Sequence, residues 1–162
     1  MNHLTYYTKI ANELQAENAE LLEVFEEEIN IILHKLKFIP EHDRPFVQLV
    51  DGLNNFSNEP YLEELKGIAG GKSYSTNELL EIDILIFHET SPIFLSNLPK
   101  LLTDHYAQTK AFKNNKIYII QKSDFSTSTQ NYALDTEILA EIIQPKYFVF
   151  GHEGKYWIQF TL

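Results

Sequence analysis

Three short apolar runs constrain this chain more than any other feature: residues 46–50 (Phe46-Val-Gln-Leu-Val50), 83–87 (Asp83-Ile-Leu-Ile-Phe87) and 116–120 (Lys116-Ile-Tyr-Ile-Ile120). Each is nearly continuous in apolar residues, which is the pattern of a strand buried on both faces. The first is bounded by Pro45 and by Asp51-Gly52. Helical patterns separate the runs. Strands that alternate with helices form a parallel sheet through right-handed crossovers, so an α/β architecture is expected.

The helical stretches can be placed from their punctuation. Residues 4–38 carry Ile10, Leu14, Leu21, Phe25, Ile29, Ile32 and Leu36 at spacings of three, four and seven, with no Gly or Pro until Pro40. That predicts one amphipathic helix, about 50 Å long at helical rise. The rest of the chain would make a body about 36 Å across. The first turns of such a helix therefore overhang into solvent or touch a second body. Pro60 opens a helix over 61–69 that Gly70-Gly71 stops. Ser75-Thr-Asn-Glu78 has capping-box spacing and starts a short helix reaching Leu80. Further helical patterns cover 93–102, 104–112 and 131–144. Residues 147–150 and 156–161 flank Gly151-His-Glu-Gly154 and read as a closing hairpin with an antiparallel edge strand. The expected fold is α/β: a three-layer, Rossmann-like, mainly parallel sheet with a long N-terminal helix and a C-terminal β-hairpin. Residues 1–40 form the helical part and 41–162 the α/β lobe.

Charge and composition exclude several functions. The formal net charge of −10 repels phosphate backbones, so nucleic acid is not an expected partner. No apolar run approaches the ~18 residues of a membrane span. The absence of cysteine removes disulfides, thiolate metal ligands and thiol nucleophiles. Residues 1–9 lack the basic and then apolar pattern of a signal peptide, which implies a cytoplasmic protein if the chain as given is complete.

Chemistry is expected where the three runs end, because open α/β sheets bind ligands beyond the carboxyl ends of their strands. The loops 51–58, 88–92 and 122–130 leave those ends and share one rim. They offer the hydrogen-bonding residues Asn54, Asn55, Ser57, Glu89, Thr90, Ser126 and Gln130, with Phe56, Phe125 and Tyr132 beside them. Amides and hydroxyls next to aromatic rings suit a bulky, partly apolar small molecule. His88-Glu89 is an acid–base or metal-ligand pair by residue type, but no third ligand stands at a matching spacing, so no metal site is read there. Gly67-Ile-Ala-Gly-Gly-Lys-Ser73 is not a phosphate loop. It has three residues where that motif has four, and it follows a helix instead of opening one. No cofactor site and no catalytic set is read.

Taken in order, the motifs resemble a known family. The long helix leads to a strand ending in Asp51-Gly52, and Tyr61-Leu-Glu-Glu-Leu65 is followed by Ala69-Gly-Gly-Lys72. Glu81-Ile-Asp-Ile-Leu-Ile86 enters the second strand, Ala111-Phe-Lys-Asn-Asn-Lys-Ile-Tyr118 enters the third, and Leu139-Ala-Glu-Ile-Ile-Gln-Pro145 closes the last helix. The set resembles the carboxyl-terminal lobe of substrate-binding proteins of ABC importers for iron–siderophores, haem and cobalamin. In that family a backbone helix joins two α/β lobes and the ligand sits between them.

The resemblance implies a non-catalytic, half-size or truncated binding domain for a metal chelate, in the periplasm or cell envelope, working with an importer permease. It also implies that a second wall comes from a missing amino-terminal lobe or from a homodimer. An alternative is an interaction module that pairs without binding a chelate. A third reading, a small metal-chelatase-like enzyme, would use His88 and Glu89. The family carries a Pro-Gly-Arg-type rim where this chain has Ser-Thr-Ser-Thr-Gln at 126–130, and Arg44 is its only arginine. A neutral, bulky ligand is therefore expected over a strongly anionic one.

Overall fold

The computed structural model describes residues 4–52, 55–73, 79–89 and 91–162. The three apolar runs become β1 (Val47–Asp51), β3 (Ile84–His88) and β4 (Ile117–Ile120). They lie side by side and parallel, with Asp51 paired to His88 and His88 to Ile120. Two short antiparallel strands close the edges, β2 (Asn55–Ser57) on β1 and β5 (Trp157–Gln159) on β4, giving the order β2-β1-β3-β4-β5.

Alternation along the strands feeds two cores, one on each face. Val47, Leu49, Ile84, Ile86, Tyr118 and Ile120 face one way. There they meet α1 (Thr5–Glu17), α2 (Ala19–Leu36), α3 (Pro60–Ile68) and α6 (Tyr132–Ile143). On the other face Leu85, Phe87, Ile117 and Ile119 pack on Phe94, Leu98, Leu102 and Tyr106. Those four belong to α4 (Pro92–Leu101) and the π turn Leu102–Tyr106 that continues it. The result is a three-layer α/β fold with a mostly parallel sheet, as expected.

The N-terminal helix differs from its expectation. It is two helices, broken at Asn18, whose backbone is extended (φ −157°, ψ 98°). The Asn18 side chain accepts the N–H groups of Glu20 at 3.1 Å and Leu21 at 3.2 Å, which caps α2. The chain doubles back there, and Tyr7 stacks on Phe25 with ring centroids 5.1 Å apart. An unbroken helix would hold those residues about 27 Å apart. The first turn of α1 is fastened to the body by Glu64, whose carboxylate accepts the N–H groups of Tyr6 (3.0 Å) and Tyr7 (2.9 Å) and the Tyr132 hydroxyl (2.7 Å). Among the described residues the first turns of α1 do not overhang: Tyr6 and Tyr7 lie against Tyr61 and Tyr132.

The C-terminal hairpin is also corrected. β5 is an antiparallel edge on β4 as expected, but residues 147–150 form no strand. Their neighbourhood has another acceptor. Glu141 on α6 takes the N–H groups of Phe150, Gly151 (2.8 Å) and His152 (3.1 Å) and the indole N–H of Trp157 (3.0 Å). A carboxylate therefore organises this segment where a ladder was expected. Burial pushes the Glu141 carboxyl up, but these four donors outweigh it and hold it below the ordinary value. Of the remaining helix expectations, 104–112 is replaced by the π turn and a short α5 (Lys110–Lys113). The capping box at 75–78 lies outside the described residues, and Leu79–Glu81 is a 3₁₀ turn.

Candidate functional site

The parallel register brings the three strand ends together, so the expected rim exists. At its centre His88 donates from Nε2 to the Lys122 carbonyl at 2.9 Å, and its ring meets Phe125 edge to face at 5.3 Å. The second and third loops are thereby tied into one surface. Ser126 follows in a left-handed conformation (φ 63°) and donates its N–H to Asp135 Oδ2 at 2.9 Å. Asp135 is fully buried. Lys122 lies 3.2 Å from it and 2.8 Å from Asp124, making an ion triad beneath the loop. Burial pushes the Lys122 ammonium down, but the two carboxylates outweigh it and hold it above the ordinary lysine value.

Between these elements lies a cleft of about 80 Å³, where Ser57, Phe125 and Ser126 join Asp51, Glu59 and His88. The structure thus gathers three of the expected site residues into one depression. The others go elsewhere. Asn55 is exposed on β2, and Phe56, next along that strand, points to the opposite face and stacks on Tyr106 at 6.3 Å. Strand alternation forces that separation, and the expected rim loop 51–58 turns out to contain this paired edge strand. Glu89 accepts the Ser91 N–H at 3.1 Å at the start of α4. Asn54 and Thr90 lie outside the described residues. Phe125 is only 1% exposed and Tyr132 is fully buried, so both rings are core where exposed aromatics were expected. Burial first, and then the Glu64 carboxylate, push the Tyr132 phenol well above its ordinary value, which keeps it a neutral donor.

Gln130 lies on a different feature that the sequence reading did not anticipate. The bend at Asn18 opens a groove of about 550 Å³ between α1 and α2, with Thr129 and Gln130 at its end. Ile10, Leu14, Leu21 and Phe25 give it an apolar floor, and Glu13, Glu17 and Glu28 stand along it. Its one advance signal is Asn18, a residue better suited to a helix N-cap than to a helix interior. Specific small-molecule pockets usually enclose about 300–1,000 Å³. The rim cleft falls well below that range and the helical groove within it. Among the described residues no group of three or more His, Asp or Glu is placed to hold a metal ion. The His88 Nε2 and the Glu89 carboxylate each bond a backbone group.

The fold is a three-layer α/β domain with a mostly parallel sheet whose strand ends share one rim. No known family model matches the chain, and no curated protein does. Solved structures do. An ABC transporter solute binding protein from Sulfurospirillum deleyianum is 16% identical, with a TM-score of 0.60 over 89% of this chain and 51% of that one. Helicobacter pylori CeuE, solved as a Ni-His complex, is 17% identical, with a TM-score of 0.55 over 88% of this chain and 51% of that one. At these identities the likeness is one of fold, and the family resemblance carried by the motifs is met at that level. The chain spans about half the length of both proteins.

Proposed function

We propose that this chain is a non-catalytic solute-binding domain of an ABC import system, contributing one wall of a site for a bulky, weakly charged metal chelate. The observation that carries this reading is the in-register alignment of Asp51, His88 and Ile120 on one rim, in a fold shared along 89% of the chain with a solute-binding protein. A depression of about 80 Å³ is a contact surface for one side of a chelate, so an opposing wall is required. A permease partner and a periplasmic or cell-envelope setting belong to the same proposal.

Titration with a ferric siderophore, haem and cobalamin, followed by amide chemical shifts, tests it. Shifts concentrated at Asp51, Ser57, His88 and Ser126 are the expected result. If none of the three chelates moves those amides at high micromolar protein, the reading fails. A second reading, an interaction module that pairs without binding a chelate, is favoured by one specific observation: the exposed apolar stripe of α2.

A further inference from the structure

Helix α2 carries two apolar stripes. Phe25, Ile29, Ile32 and Leu36 are buried in the core. The second stripe runs Leu21, Val24, Glu28, Ile31, Lys35 and Phe38 along the helix and its last turn, stepping by three and four alternately. That is the spacing of a seam between paired helices. Its apolar members are left to solvent: Leu21 is 53% exposed, Val24 49%, Ile31 53% and Phe38 66%. An apolar seam this open on a helix already packed on its other side calls for an occupant.

The order of residues along the seam is self-complementary about Ile31. Val24 and Phe38 lie seven residues before and after it. Glu28 lies three before and Lys35 four after, while Glu27 lies four before and His34 three after. When two copies of α2 run antiparallel with a two-fold axis at Ile31, each Ile31 meets its copy. Phe38 then reaches the partner's Val24, Glu28 faces the partner's Lys35, and Glu27 faces the partner's His34. Such reciprocity is the signature of an isologous interface. The groove supplies the socket: Leu14, Leu21, Val24 and Phe25 line it, and the partner's Phe38 would enter there.

Charge selects both the occupant and its direction. A parallel pairing would set Glu27 and Glu28 against themselves, and an anionic membrane would be repelled by the same carboxylates. Lys35 donates to the Tyr147 carbonyl at 2.8 Å, which leaves two of its three N–H groups for a carboxylate. Glu27 and Glu28 make no ion pair among the described residues. Burial first, and then nearby Glu137, hold the Glu28 carboxyl above its ordinary value, a condition that an incoming ammonium relieves.

We propose that the outer face of α2 is the interface of a two-fold symmetric dimer, with antiparallel α2 helices and each Phe38 seated in the groove between α1 and α2 of the partner. The seam is about 25 Å long, which makes a small interface and a dimer of micromolar affinity. It lies on α1 and α2 with Thr129 and Gln130 beside them, whereas the proposed chelate cleft is lined by Asp51, Ser57, His88 and Ser126, so each reading can fail without the other.

Sedimentation or light scattering from low to high micromolar protein is expected to show monomer passing to dimer. Ile31→Glu, at the axis and outside the core, should raise the dissociation constant at least about tenfold with an unchanged circular dichroism spectrum. Lys35→Glu and Glu28→Lys should each weaken the dimer, and the double variant should restore it. A chain that stays monomeric at the highest concentration overturns the proposal. So does a dimer that Ile31→Glu leaves intact, or a double variant as weak as its parents. The Ile31→Glu monomer, titrated with chelate, reads the rim separately.

Discussion

Two carboxylates each hold a segment that local sequence would have arranged otherwise. Glu64 gathers the N–H groups of Tyr6 and Tyr7 and the hydroxyl of Tyr132, so it caps α1 and pins it to α3 and α6. Hydrogen bonds to a charged group contribute about 1.5–3 kcal/mol each at most, and their losses are not additive. Glu64→Ala is expected to lower unfolding stability by about 2–3 kcal/mol in urea denaturation. Tyr132→Phe, which removes one donor from the same acceptor, should cost about 1 kcal/mol.

Glu141 plays the corresponding role for the C-terminal segment, and its depressed carboxyl sets a pH dependence. The unfolded chain binds that proton more readily than the folded one. The stabilisation is therefore complete above the unfolded value of ~4.3 and is lost as pH falls through the lower folded value. Glu141→Gln should flatten the acid limb of the stability curve and cost about 1–3 kcal/mol at neutral pH. A steeper acid limb in the variant would contradict this assignment. Gly71 is a third residue under constraint, because a Cβ there would meet Val47 Cγ2 at 2.9 Å and Ile143 Cδ1 at 3.3 Å. Gly71→Ala should destabilise by about 1–3 kcal/mol, read as a lowered melting temperature.

At the scale of elements, the decisive position is Asn18. The apolar periodicity from Ile10 to Leu36 runs through it without Gly or Pro, so residue spacing alone reads as one helix. The chain breaks because the Asn18 side chain caps α2 and because folding back stacks Tyr7 on Phe25 and brings Tyr6 edge-on to Tyr61 at 5.2 Å. Those contacts join positions far apart in sequence and leave no mark on periodicity. Asn18→Ala removes the cap at a cost of about 1 kcal/mol. It should also raise the helicity of residues 17–20, measured by backbone chemical shifts. An unchanged break at 18 in that variant would assign the bend to the tyrosine contacts alone.

Strands β1, β3 and β4 and helix α6 present the opposite case. Each is a local pattern dense enough to survive any tertiary arrangement. β1, β3 and β4 fall on the expected runs, and α6 on the expected 131–144, to within a residue or two. β2 was not legible, since three polar and aromatic residues carry no strand pattern until β1 supplies the ladder.

For the whole molecule, the two proposed surfaces are one rim and one helical face. The rim cleft is small enough that a single large side chain would fill it. Ser57→Trp is expected to reduce chelate affinity at least about tenfold while leaving the melting temperature within a few degrees, as calorimetric titration and melting curves would report. The groove between α1 and α2 belongs to the proposed dimer face.

Taken alone, the sequence determined the α/β class, the three parallel strands, the rim their ends would share and the likeness to importer solute-binding proteins. The first three rest on short-range apolar patterning and on connection rules that leave few topologies, and the likeness rests on the resemblance of an ordered set of motifs to that family. Only the tertiary structure decided which rim residues face one another. Strand alternation sent Phe56 to the far side of the sheet, and burial took Phe125 and Tyr132 into the core. It also decided that the N-terminal helix folds in two. A side-chain cap and a cluster of tyrosines outweigh one further turn of helix there, and that balance depends on partners more than forty residues away.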